Sequence, residues 1–110
     1  MTKKLFVLSC LLFSFIACSE RTPLLVEEDI MIDVLRDIHI AEAAMQNLVD
    51  LTKDSLGAIY YDQIFQMHQV NKEDFDSTMS ILRKDPGRMG IIYDKVIEEL
   101  EVISDTLFQY

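Results

Sequence analysis

Asp85-Pro86 and the residues that follow constrain the fold more than any other part of this chain. Proline disfavours helix in the residue before it, and an aspartate N-cap with proline at the first helical position starts a new helix. From that start Met89, Tyr93, Val96, Leu100, Ile103 and Leu107 recur at steps of 4, 3, 4, 3 and 4. They form one apolar seam on a helix that runs nearly to the C-terminus. At 1.5 Å per residue the seam spans about 27 Å, and only another helix of several turns can cover it.

That partner is predicted upstream. Glu27-Glu28-Asp29 places three carboxylates where the positive end of a helix dipole favours them. Ile30, Val34, Ile38, Ala41, Met45 and Leu48 follow on one face, which predicts a first helix over residues 27–49. Ile38 and Val96 are expected near the middle of its contact with the last helix. Asp50 to Ser55 reads as a connector, with Asp54 or Ser55 capping a second helix. The stripe of that helix is Leu56, Tyr60, Ile64 and Met67, widened by Ile59 and Phe65. Gln69-Val70-Asn71 turns the chain, and Asn71 caps a third helix that faces Phe75, Met79 and Leu82 inward. No alternating strand pattern, internal repeat or low-complexity tract is visible. The expected fold is all-α: a small bundle of about four helices, two long and two short.

Ahead of the bundle, Lys3-Lys4 precedes an apolar and small-residue run from Leu5 to Ile16 that ends in Ala17-Cys18. A basic start, a short apolar stretch and a small-residue processing site are the plan of a secretory signal. The run is too short to cross a bilayer, which takes about 20 apolar residues. Ile16-Ala17-Cys18 looks like a bacterial lipobox, with Phe15 where such motifs usually have Leu. It predicts removal of residues 1–17 and lipidation of Cys18 as the first residue of the mature chain. Cleavage at the rival Cys10 would leave an apolar run of only four residues. The organisation expected is a signal over residues 1–17, a lipidated tether over 18–26 and a helical domain over 27–110. The eight residues from Ser19 to Val26 reach at most about 29 Å. Ser19 directly after the lipidated cysteine fits sorting to the outer membrane, so the expected place is the cell envelope, lipid-anchored and facing the periplasm.

Processing leaves 93 residues, room for one domain, and shifts the net charge from −9 to −11 as Lys3 and Lys4 leave. Such acidity repels nucleic acid and anionic headgroups, so no nucleic-acid partner and no binding through a basic patch are expected. One cysteine remains, so no internal disulfide can form.

Few residues suggest chemistry. His39 and Glu42 share a helical flank, with Asp33 and Asp37 nearby, but a metal site needs further ligands at defined spacing. A solvated carboxylate face accounts for them, and no metal, cofactor or small-molecule substrate is expected. The serines sit in no strand-turn-helix elbow and no glycine-rich loop accompanies them, so no catalytic residue is assigned. His68 is expected to complete a helix C-terminus. Tyr60, Tyr61 and Tyr93 pack into the core with hydroxyls at the surface, or line a groove for a partner. Leu107, Phe108 and Tyr110 either close the bundle or form an apolar tail that docks elsewhere.

The order of motifs carries a resemblance. A lipobox and Pro23 lead to Asp37-Ile38-His39-Ile40-Ala41-Glu42-Ala43, then to Tyr60-Tyr61-Asp62-Gln63-Ile64-Phe65-Gln66-Met67-His68. Phe75-Asp76-Ser77-Thr78-Met79 and Asp85-Pro86 follow, ahead of Ile92-Tyr93-Asp94-Lys95-Val96. The chain resembles the DUF4296 family of small lipoproteins from the Bacteroidetes, a domain of unknown function, over most of the segment from Pro23 to about Leu100. That family often carries a tyrosine pair before its Asn/Asp-Pro, where this chain has Ile81-Leu82. The resemblance implies a compartment and a lineage and supplies no catalytic residues. The reading that follows is a membrane-anchored, non-enzymatic helical module whose partner is another envelope protein. The alternatives are a small envelope chaperone using Met67, Phe75 and Met79, or a metal-binding or enzymatic protein built on His39, Glu42 and the nearby carboxylates.

Overall fold

The helix that begins at Glu28 has apolar residues on most of its circumference, and that makes it the centre of the bundle. A computed structural model describes residues 21–48 and 50–109, together with Lys3. The rest of the signal segment, Cys10, Cys18 and Tyr110 lie outside the described residues. Four helices follow in order: α1 Glu28–Met45, α2 Asp50–Met67, α3 Lys72–Arg83 and α4 Pro86–Leu107. The all-α bundle expected from the sequence is the fold observed.

Helix α1 carries two buried faces where the sequence predicts one. Met31, Ile32 and Leu35 pack with Val26, Leu82 of α3 and Ile92 and Val96 of α4. Val34 and Ile38 turn the other way and meet Ile64 and Phe65 of α2. The expected α1–α4 pairing is present. Its centre, however, is formed by Leu35 and Val96, because Ile38 belongs to the α2 side. The same two-sided demand adds Ile92 to the buried seam of α4, one residue before Tyr93.

Two boundaries differ from those expected. Helix α1 stops at Met45, about one turn before Val49, in a tight turn where the amide of Leu48 donates to the carbonyl of Met45 at 3.1 Å. Helix α2 then starts at Asp50, so the connector predicted over residues 50–55 is helical. Nothing between Leu51 and Ser55 breaks a helix, and closing the hairpin early sets buried Gly57 near the end of Met45. The buried face of α2 is rotated as well. Gly57, Ile64 and Phe65 are buried and Tyr61 half-buried, while Ile59, Tyr60 and Met67 of the expected stripe are exposed.

Helix α2 ends in a Schellman turn. Gln69 adopts a left-handed φ of 54° and the amide of Val70 donates to the carbonyl of Phe65 at 2.8 Å. Asn71 caps α3 as expected, its side chain accepting from the amide of Glu73 at 2.9 Å. The Asp85-Pro86 start of α4 is also as read: the Asp85 carboxylate accepts from the amide of Arg88 at 3.1 Å.

The segment before α1 is part of the packed unit. Val26 is buried and its amide donates to Thr78 Oγ1 of α3 at 3.1 Å, inside the core. Leu24 packs on the same cluster, and the Thr22 carbonyl accepts from Arg88 Nη1 at 2.9 Å. The domain boundary expected at Glu27 therefore moves back to about Leu24. Thr22 to Val26 form a strap across α3 and α4.

Candidate functional site

Three features of the bundle have functional potential: a polar cross-link at its waist, a cleft at the strap end and a set of exposed apolar residues at the far end of α4. The waist is organised by Arg36. Its guanidinium donates to Asp33 and Asp37 on α1, both at 2.9 Å, and to Glu99 on α4 at 2.8 Å. The second oxygen of Asp37 meets His68 Nε2 at 2.6 Å, just past the end of α2. One hydrogen-bonded chain thus joins α1 to α4 and to the end of α2. The expectation that His68 completes a helix end understates its role, because its ring reaches across to α1.

The side chains of Asp37 and His68 are only 18% and 16% exposed. Burial pushes the Asp37 carboxyl up, but hydrogen bonds and charge from Arg36 and His68 outweigh it and hold it below its ordinary value. A carboxylate lowered in this way contributes stability above its ordinary pKa of about 3.9, and the contribution is lost as pH falls through the lowered folded value. Asp37→Asn is expected to cost about 1–3 kcal/mol near neutrality. The deficit should shrink on strong acidification. Urea titrations across the acid range check this, and a deficit that stays constant would mean that the Asp37 charge is not what ties the helices together.

The pair singled out for metal chemistry is brought close without forming a site. His39 Nδ1 stands 3.7 Å from Glu42 Oε2, and the imidazole packs edge-on against Tyr93 with 6.0 Å between ring centroids. The nearby Asp33 and Asp37 are taken by Arg36. The Tyr61 hydroxyl donates to Glu42 Oε1 at 2.7 Å, and that bond, with partial burial, raises the phenol above its ordinary pKa. Among the described residues no three His, Cys, Asp or Glu side chains gather as a metal-holding group.

At the strap end an open cleft of about 440 Å³ is lined by Arg21, Thr22, Lys84, Asp85 and Arg88, among others. Arg88 forms its wall: Nε donates to Glu28 at 2.6 Å while Nη1 holds the Thr22 carbonyl. Three cations round one cleft are not what an overall charge of −9 suggests. Composition averages over the molecule, whereas the fold brings Arg21 beside Lys84 and Arg88, more than sixty residues further along the chain.

Beyond Val96 no residue of α4 is fully buried. Ile97 and Val102 are exposed, Leu107 is 70% exposed and Phe108 85%. A cleft of about 480 Å³ lined by Arg36, Lys95, Glu98, Glu99, Val102 and Ile103 opens beside the Arg36–Glu99 cross-link. Leu107 and Phe108 are exposed and do not close the bundle, while Tyr110 lies outside the described residues. The residues named for a chaperone surface divide. Met67 is 66% exposed, whereas Phe75 and Met79 pack against the core.

No described helix is long and apolar enough to cross a membrane. No curated protein and no solved structure matches the chain. Residues 24–106 match the family described as Domain of unknown function (DUF4296), a span that opens within the strap and covers α1, α2, α3 and all but the last residue of α4. The chain belongs to the DUF4296 family.

Proposed function

We propose that this is a lipid-anchored envelope protein, held through Cys18 at the outer membrane on its periplasmic side, whose helical domain binds another envelope protein and catalyses no reaction. The observation that carries the binding role is the exposure of Ile97, Val102 and Leu107 on the outer half of α4 and of Phe108 just beyond it. A partner that wraps this end of the helix would cover them. The anchoring role rests on Lys3-Lys4, the short apolar run and Ile16-Ala17-Cys18. The two fit one geometry. The strap ends beside Arg88 in the first turn of α4, and Leu107 lies about 28 Å further along that helix at 1.5 Å per residue. An anchor at the strap end presents the apolar end away from the membrane.

A photoreactive residue placed at Val102 or Phe108 in intact cells should yield one discrete crosslinked species, and the same residue at exposed Gln63 of α2 should not. Equal crosslinking from both faces would refute the docking surface. In parallel, Cys18→Ala should move the protein out of the membrane fraction or block its processing, while replacement of Cys10 changes neither. Incorporation of a clickable fatty acid that persists unchanged in Cys18→Ala would refute the anchor.

A further inference from the structure

We infer that the cation-lined cleft at the strap end binds the phosphate groups of anionic membrane lipids, so that the domain rests with the first turn of α4 against the headgroups. This deepens the anchoring proposal and rests on it.

Charge distribution is the first ground. Outside residues 1–17 the chain has eight basic residues against nineteen acidic ones. Three of the eight, Arg21, Lys84 and Arg88, line this one cleft, while Glu27, Glu28 and Asp29 of the neighbouring sequence are not among its lining residues. Among the described residues Arg21 and Lys84 form no ion pair, and both are exposed. Arg88 is committed to Glu28 and to the Thr22 carbonyl, and thereby holds the strap beside the cleft. Among the described residues Asp85 is the one carboxylate in the lining, and its Oδ1 is engaged with the amide of Arg88. Pro86 has no amide N–H and that of Arg88 is taken by Asp85, so among the lining residues the free charged donors to an anion are the side chains of Arg21 and Lys84.

Position is the second ground. Arg21 is three residues from Cys18, so the rim of the cleft lies within about 11 Å of the lipidated residue even on a fully extended chain. That is close to the Debye length of about 8 Å at physiological salt. The acidic residues of the outer α4, from Glu98 to Asp105, stand about 15–25 Å further along the helix than Arg88 and are screened from the same surface. Net charge governs approach from solution; a tethered domain feels the charges at its anchored end. The exclusion of anionic headgroups drawn from composition therefore fails locally. Each unpaired cation near an anionic bilayer favours the headgroup-bound arrangement by about fivefold, so Arg21 and Lys84 together bias it by about twenty-fivefold.

The test uses the full lipidated protein in nanodiscs that carry headgroup-spin-labelled lipid, with amide broadening as the readout. In discs containing phosphatidylglycerol, Lys84 and Gly87 should broaden strongly while Ser104 does not, and in pure phosphatidylcholine discs that contrast should fade. The double variant Arg21→Gln, Lys84→Gln should lose the difference between the two discs while remaining disc-bound and folded by its amide spectrum. Broadening independent of lipid charge, or retained in the double variant, overturns the inference. So does competition by inorganic phosphate at low concentration, which would make the cleft a site for a free anion. A native chain that never enters the discs fails at the anchor, and that outcome is told apart by its absence from the disc fraction.

Discussion

Leu82→Ala is expected to destabilise the domain by about 2–5 kcal/mol, and Leu107→Ala by less than about 0.5 kcal/mol. Both are leucines on helical seams, and the sequence gives little reason to separate them. Leu82 is fully buried, in one cluster with Val26, Met31, Ile32, Leu35, Ile92 and Val96. Its side chain therefore links the strap, α1, α3 and α4, and shortening it leaves a void that four elements would have to close together. Leu107 is mostly in solvent. A domain of this size has a total stability of about 5–10 kcal/mol, so the first variant should be close to unfolding at physiological temperature. Urea unfolding checks both, with the slope unchanged if the loss lies in the native state. Similar small losses at both sites would mean that the Leu82 cluster is not the core of the domain.

The helices were legible because their signals are local. Asp85-Pro86 and Asn71 act within one turn of themselves, and both caps form as the sequence indicates. The α1–α4 pairing followed from length alone. What the sequence concealed is what requires a third body. A single apolar stripe was assigned to α1, yet Met31, Ile32 and Leu35 lie off that stripe and serve α3 and α4, while Val34 and Ile38 serve α2. Consecutive apolar residues at Ile30-Met31-Ile32 and Val34-Leu35 were the available sign of a helix covered on two sides. The face of α2 is legible only in part, for a related reason: Ile64 and Phe65 are buried as expected, whereas Ile59, Tyr60 and Met67 are exposed. Tyr61 and His68 turn inward because Glu42 and Asp37 on α1 offer acceptors, and pairings between residues 19 and 31 positions apart leave no trace in periodicity.

The strap was the least legible element, and it carries the second large effect. Thr78→Val is expected to cost about 1–3 kcal/mol although it keeps the volume and branching of the side chain. Thr78 is fully buried, and its hydroxyl oxygen is the acceptor for the Val26 amide. Without it a backbone N–H stays in the core unsatisfied or the strap lifts to find water, and both are unfavourable. Thr78→Ser separates this from packing: it keeps the hydroxyl and loses one methyl, a cost of about 1 kcal/mol. Hydrogen exchange at Val26 reads the difference, with about tenfold faster exchange for each 1.4 kcal/mol lost locally. Protection of Val26 should fall in the Val variant and survive in the Ser variant. Equal protection in the two would mean that the strap is held by Val26 and Leu24 packing and by the Arg88 contact to Thr22, not by the buried hydrogen bond. The distinction bears on the proposed anchor. Under the anchoring proposed above, a pull on Cys18 would enter the domain through Thr22 and Val26, and the bond from Val26 to the middle of α3 would pass that load to the helix that also carries Leu82.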